Sequence, residues 1–245
     1  MTEFSDRVES VSISGIREVF EAAGDDAINL GLGQPDFAAP AHAREAAAEA
    51  IREGLADGYT ENKGMASLRE AIADKHARDQ GVDVDVIATA GGSEALHIVM
   101  EAHLDPGDEV LIPDPGFVSY DALTRLAGGT PVPVPLRDDL TLDPDAVEAA
   151  ITDDTAAFVV NSPGNPTGAV SPPEDVREFA RIADDHDVLC VSDEVYEYTV
   201  FDGEFRSPLE FADRDNVVVV NSASKLYSMT GWRLGWVTGG PERVE

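Results

Sequence analysis

Residues 217–239 read VVVVNSASKLYSMTGWRLGWVTG. Four consecutive valines are apolar at both alternate positions, so 217–222 reads as a strand buried on both of its faces. LGWVTG, at 234–239, reads as a second strand. Between them sits Lys225, with Ser222 and Ser224 on its N-terminal side; it is one of only three lysines, with Lys63 and Lys75, in 245 residues. A lysine placed where a buried strand ends is partly desolvated. That lowers its pKa and makes the amine a usable nucleophile.

Working outward, the same kind of short apolar run recurs at 86–90 (VIATA), 109–113 (EVLIP), 130–135 (TPVPVP), 156–162 (AAFVVNS) and 188–194 (VLCVSDE). TPVPVP is the weakest strand of the seven, because its prolines cannot donate to a ladder. Helical patterns occupy 41–54, 65–81, 93–104 and 173–186, with Gly54 and Gly81 as stops. Strands that alternate with helices and are apolar throughout predict an α/β chain: a three-layer α/β/α domain around a mostly parallel seven-stranded sheet. In such sheets ligands gather at the carboxyl ends of the strands. The residues following the strands are GGSEAL, PDPGFVSY, SPGNPTG, DEVYEY and SASK.

Composition narrows the partners. The chain is 43% apolar, enough for one large domain, and carries 48 acidic against 17 basic residues, a net charge of −31. The acids are spread along the whole length, which predicts an acidic, halophilic-type surface whose self-repulsion salt would screen. Nucleic acid is excluded as a partner, since phosphate binding needs a basic face. No apolar run approaches the roughly 20 residues of a membrane helix. The N-terminus starts polar and acidic, unlike a secretory signal, and Cys190 is the single cysteine, so a cytoplasmic location is expected. The five histidines, His42, His76, His97, His103 and His186, show no metal-ligand spacing.

The loop residues admit two readings each. TAGGSEAL is strand, Gly91–Gly92, Ser93, then helix, an arrangement whose free N–H groups can hold a phosphate or simply make a tight turn. Arg233, eight residues after Lys225, can supply a cation. Asp193 and Tyr196 share one side if a helical turn begins there; the alternative is that Asp193 caps the turn and Tyr196 packs. Asn165 can serve turn geometry, and Phe117 can be core. Taken together, a phosphate cradle, a reactive lysine, a carboxylate and a phenol are what pyridoxal 5'-phosphate requires.

SASKLYSMTGWRLG resembles the lysine signature of the class I/II pyridoxal-phosphate aminotransferases. NSPGNPTG, SDEVY, DPGDEVLIPDPGFVSY and GLGQPDF also stand in that family's order, from about Gly31 to Gly240. The resemblance implies fold type I of the pyridoxal-phosphate transferases. Lys225 would form the Schiff base and move the proton, Asp193 would pair with the ring nitrogen, and Tyr196 with the 3-oxygen, which Asn165 also approaches. Gly92, Ser93, Ser222, Ser224 and Arg233 would bind the phosphate, and Phe117 would stack on the ring. Gly33 would meet the substrate carboxylate. Tyr59 would reach the phosphate in a neighbouring subunit, implying a homodimer with shared active sites.

By the same resemblance, 1–38 forms an N-terminal arm and part of a small domain, and 39–245 the cofactor-binding large domain. The C-terminal small domain, which carries an arginine for the substrate carboxylate, is expected to be missing. The implied activity is transfer of an amino group between an amino acid and a 2-oxo acid. Two alternatives stand beside it: a β-lyase on the same fold, and a truncated cofactor-binding fragment without turnover. A nicotinamide-dependent dehydrogenase is set aside, because no Gly-x-Gly-x-x-Gly follows a strand.

Overall fold

A computed structural model describes residues 4–11, 33–55, 57–212 and 214–244. After a short α1 (Asp6–Glu9) come α2 (Ala41–Arg52), α3 (Ala66–Asp79), β1 (Asp85–Thr89), α4 (Gly92–His103), β2 (Glu109–Asp114), α5 (Ser119–Leu126) and β3 (Thr130–Pro135). The order continues with α6 (Pro144–Ala150), β4 (Thr155–Asn161), α7 (Pro173–His186), β5 (Leu189–Asp193), β6 (Val217–Ser222), β7 (Gly235–Gly239) and α8 (Pro241–Val244). Each strand read from the sequence is present, with ends shifted by one residue at most. Most of the expected N-terminal arm, 1–38, lies outside the described residues. No helix among the described residues is long and apolar enough to cross a membrane.

The seven strands form one sheet in the order β1-β7-β6-β5-β4-β2-β3. All neighbours are parallel except β7, which runs antiparallel to both β1 and β6. The proline-rich β3 takes the edge. Thr130 and Leu136 donate their N–H groups toward β2, at 2.8 and 3.1 Å, so Pro131, Pro133 and Pro135 fall on the open side, where no strand needs a donor.

The valine run shows why three layers form. Val218 and Val220 join Leu96, Val99 and Met100 of α4 and Tyr120 of α5 in one core. Val217 and Val219 face the opposite way, onto Phe179, Ile182 and Ala183 of α7 and Val147 of α6. A third cluster seats α3 through Ile72 against Val86, Ala223, Met229 and Trp236. Period-2 alternation thus sends each half of one apolar run to a different helical layer.

Phe179 is fully buried and its ring lies 6.3 Å from that of Phe158 on β4. Phe179→Ala is expected to lower the unfolding free energy by about 3–5 kcal/mol in denaturant titration. A loss below roughly 1 kcal/mol would mean that α7 does not cover this face as described.

Candidate active site

The carboxyl ends of β1, β4, β5 and β6 open onto one cavity of about 270 Å³. Its wall includes Gly92 and Ser93 from the start of α4, Phe117 before α5, Asn165 after β4, Asp193 and Tyr196 at the end of β5, and Ser222, Ser224, Lys225 and Arg233 after β6. Gly33 closes one side. Tyr59 is not among the lining residues; it stands fully exposed in the loop after α2.

Reversed β7 is what gathers the phosphate-type groups. Its first residue, Gly235, pairs with Thr89 at the end of β1 and with Ser222 at the end of β6. A Cβ on Gly235 would come within 2.4 Å of the Gly91 backbone. Gly91 itself has φ +94 and would press a Cβ to 2.4 Å from the Arg233 guanidinium. Only glycines allow that approach. Arg233 is thereby pinned beside the N-terminus of α4, donating to the Ala90 carbonyl at 3.2 Å and the Thr230 carbonyl at 2.8 Å. No side chain caps α4.

The cavity holds charges of both signs. Lys225 is half-buried, and burial holds its pKa below the usual lysine value. Its ammonium donates to the Gly33 carbonyl and lies 5.7 Å from the Tyr196 ring centre. Among the described residues neither Lys225 nor Arg233 forms a salt bridge with a carboxylate, although the chain has 48 of them. Asp193, in the same wall, is 3% exposed. It accepts hydrogen bonds from the Tyr120 phenol at 2.8 Å and from the Val195 N–H at 3.3 Å, and among the described residues no cation pairs with it. Asp193 therefore both caps its turn and faces the cavity.

Tyr120 and Asn161 were not singled out in the sequence. Tyr120 is fully buried and stands edge-on to Phe117, with ring centres 5.6 Å apart. The spacing of three within GFVSY was the available signal, since residues three apart share a helical face. Asn161, the last residue of β4, donates to the Asp193 carbonyl at 2.9 Å and accepts from the Asn165 N–H at 2.7 Å. It ties the SPGNPTG loop to the end of β5. Gln34, Leu96, Val195 and Thr230 complete the lining.

These residues fit the cofactor that the resemblance implies. A phosphate needs the uncapped helix end, the hydroxyls and Arg233. A basic ring nitrogen needs a buried carboxylate that lacks a cation, which is the condition of Asp193. Burial lifts the Asp193 carboxyl to about 6, with its two hydrogen bonds opposing that rise. The folded chain then holds this proton where an unfolded chain, near 3.8, has lost it. Stability from this group accordingly falls as pH rises from about 4 to 6, and a cost of about 3 kcal/mol persists above. Asp193→Asn is expected to stabilise the cofactor-free chain by up to about 3 kcal/mol at pH 7.5 and by little at pH 4. Equal effects at both pH values, read by denaturant unfolding, would show that the carboxylate is not desolvated.

Comparison with known proteins agrees with the geometry. Residues 25–245 match the family described as Aminotransferase class I and II. The chain is 43% identical over 95% of its length to a probable aspartate aminotransferase of Methanocaldococcus jannaschii, of which it covers 62%. It is also 43% identical over 91% of its length to an aspartate/prephenate aminotransferase of Thermus thermophilus, covering 58% of that protein. Among solved structures, aspartate aminotransferase from Thermus thermophilus with maleate superposes with a TM-score of 0.94 at 41% identity, covering 100% of this chain and 66% of that one. The chain thus spans less than two thirds of the length of these curated relatives. Both carry the name aminotransferase, so the elimination alternative gains no support from them. With its fold, its lysine loop and the match over 25–245, the chain belongs to the class I and II aminotransferases.

Proposed function

We propose that this chain carries the cofactor site of a pyridoxal-phosphate-dependent aminotransferase that exchanges an amino group between an amino acid and a 2-oxo acid. The observation that carries the reading is the cavity's charge set: two cations without carboxylate partners and a buried carboxylate without a cation, among the described residues. Bound pyridoxal phosphate supplies an electron sink for charge developed at the substrate Cα.

The chain's own residues do the rest. The Lys225 amine, its pKa lowered by burial, holds the cofactor covalently and later accepts and returns a proton at Nζ. Asp193 keeps a proton on the ring nitrogen, while the Tyr196 phenol and the Asn165 amide serve the ring oxygen. Phe117 stacks on the ring face. Arg233, the Ser93, Ser222 and Ser224 hydroxyls and the backbone of Gly92 and Ser93 anchor the phosphate. Gly33 offers backbone to the substrate carboxylate. From the names of the relatives, aspartate or an aromatic amino acid is the donor we infer, with 2-oxoglutarate as acceptor.

Adding pyridoxal phosphate to the 245-residue chain is expected to produce visible absorbance that survives dialysis and is lost in Lys225→Ala. Turnover of aspartate with 2-oxoglutarate would extend the reading to the full reaction, and bound absorbance without turnover would turn it to the cofactor-binding fragment. No bound absorbance would reject the cofactor reading. Absorbance with ammonia release and no need for an oxo acid would turn the reading to a lyase.

Two finer readings belong here. We infer a homodimer with shared sites: Ile51, Leu55, Tyr59 and Met65 are each exposed between the last turn of α2, a helix with no buried residue, and the start of α3. Tyr59 would then reach the partner's phosphate. We also infer a cytoplasm of high salt as the setting, from the net charge of −31 and the free, buried Cys190. Unfolding temperature is expected to rise steadily from 0.1 to about 2 M KCl, as screening relieves self-repulsion, with sedimentation at the upper end reporting a dimer. A melting point independent of KCl would remove the high-salt reading.

A further inference from the structure

The turn after β5 carries three carboxylates in five residues, Asp193, Glu194 and Glu197, and all three are buried, at 3%, 1% and 4% exposure. Burying even one carboxylate is costly unless it is paired or protonated. The turn solves this by using its two faces differently. Asp193 and Tyr196 line the cavity. Glu194 and Glu197 point to the other side, into the C-terminal half of α3.

There Lys75, one of the three lysines, lies 6% exposed. Its ammonium meets Glu197 at 2.8 Å and Asp79 at 3.4 Å, and sits 4.9 Å from the Tyr198 ring centre. The Tyr198 phenol donates to Asp79. One helical turn on, Gln80 donates to Glu194 at 3.3 Å, and Glu194 also accepts from Ser192 at 3.0 Å and Ser207 at 2.5 Å. The amide of Asn221 faces Glu197 without reaching hydrogen-bond geometry, while its oxygen accepts the Ser222 N–H at 2.7 Å. Glu197 therefore lies between α3, the turn that bears Asp193 and Tyr196, and the end of β6 that leads to Lys225.

A buried ion pair contributes little net stability against apolar side chains of equal volume. Stability alone does not account for a lysine sequestered in a chain that has only three. We propose that Lys75 is a positioning residue for the cofactor pocket: by holding Glu197 it fixes the turn 194–198, and with it the Asp193 carboxylate and Tyr196 phenol on the opposite face. Glu197 keeps the Lys75 ammonium charged against burial, its pKa above the usual lysine value. The inference rests on the cofactor reading for what the positioned groups do, but not for the positioning itself.

The test compares the parent chain with Lys75→Met and with the double variant Lys75→Met/Glu197→Met. The double variant also removes Glu197, the buried carboxylate that the single variant deprives of its cation, so it folds even where the single one does not. Amide exchange of residues 194–199 in the cofactor-free chain is expected to quicken by about tenfold or more in both variants. Affinity for pyridoxal phosphate is expected to fall about tenfold or more. The pH midpoint of the bound absorbance should also move. Asp193 answers there to Tyr120, Tyr196 and the Val195 N–H, and Glu197 to Lys75, Asp79, Glu194, Tyr198 and Asn221. The double variant should regain the parent's melting temperature without regaining affinity or midpoint. Parent-like affinity, midpoint and exchange in the double variant would overturn the proposal, leaving the pair as packing. If the parent binds no pyridoxal phosphate, the cofactor reading fails, and the exchange rates still decide whether Lys75 fixes the turn.

Discussion

The pocket depends on one backbone-to-backbone contact, Gly235 against Gly91 and Gly92. A Cβ on Gly235 would overlap the Gly91 carbonyl carbon at 2.4 Å and the Gly92 nitrogen at 2.6 Å. Because β7 runs opposite to its neighbours, its first residue meets the last residues of β1 and β6 together. That brings the N-terminus of α4, the Ser222 hydroxyl and Arg233 to one place. In an all-parallel sheet the start of β7 would lie at the far edge. The one reversed strand is thus the topological reason that these donors share one place.

The second constraint is charge. A chain with 48 acids and 17 bases has enough carboxylates to pair every cation several times over. Arg181 is met by Glu148, Glu178 and Asp185, and Arg137 by Asp143 and Asp175. Against that background, two pocket cations kept from carboxylates point to an anionic occupant more strongly than the same pair would in a neutral protein. Their hydrogen bonds go to backbone carbonyls, of Gly33 for Lys225 and of Ala90 and Thr230 for Arg233. Carbonyls orient these side chains without neutralising them.

Most of the fold was legible because its signals are local. VVVV is apolar at both alternate positions, and that alone requires a covered sheet; the helical patterns over 41–54 and 65–81 carry their own stops in Gly54 and Gly81. TPVPVP was doubtful as a strand only until its place at the edge was known, and edge position is not a property of the run itself. Lys225, Asp193, Asn165 and Arg233 sit at a strand end or in loops whose residue types are unusual enough to stand out. Tyr120 and Asn161 did not, because their roles are defined by a partner far along the chain: 73 residues separate Tyr120 from Asp193, and 32 separate Asn161 from it. Tyr59 marks another limit. It is legible as a motif residue, yet a single chain leaves it in solvent.

The same limit explains why SDEVYE reads so differently from the two directions. As sequence it is an acidic hexapeptide, and in so acidic a chain that carries no weight. In the fold, each acid has a separate answer to the cost of burial. Asp193 faces the cavity and awaits a cation. Glu194 is lifted to about 8 by burial and by the charge of Glu197, its hydrogen bonds opposing. Glu197 takes its cation from α3. A carboxylate can serve a ring nitrogen only if its neighbours do not compete for the same positive charge. With Glu194 hydrogen-bonded to Ser192, Ser207 and Gln80 and Glu197 paired with Lys75, Asp193 is the acid of this turn that lines the cavity, without a cation partner among the described residues.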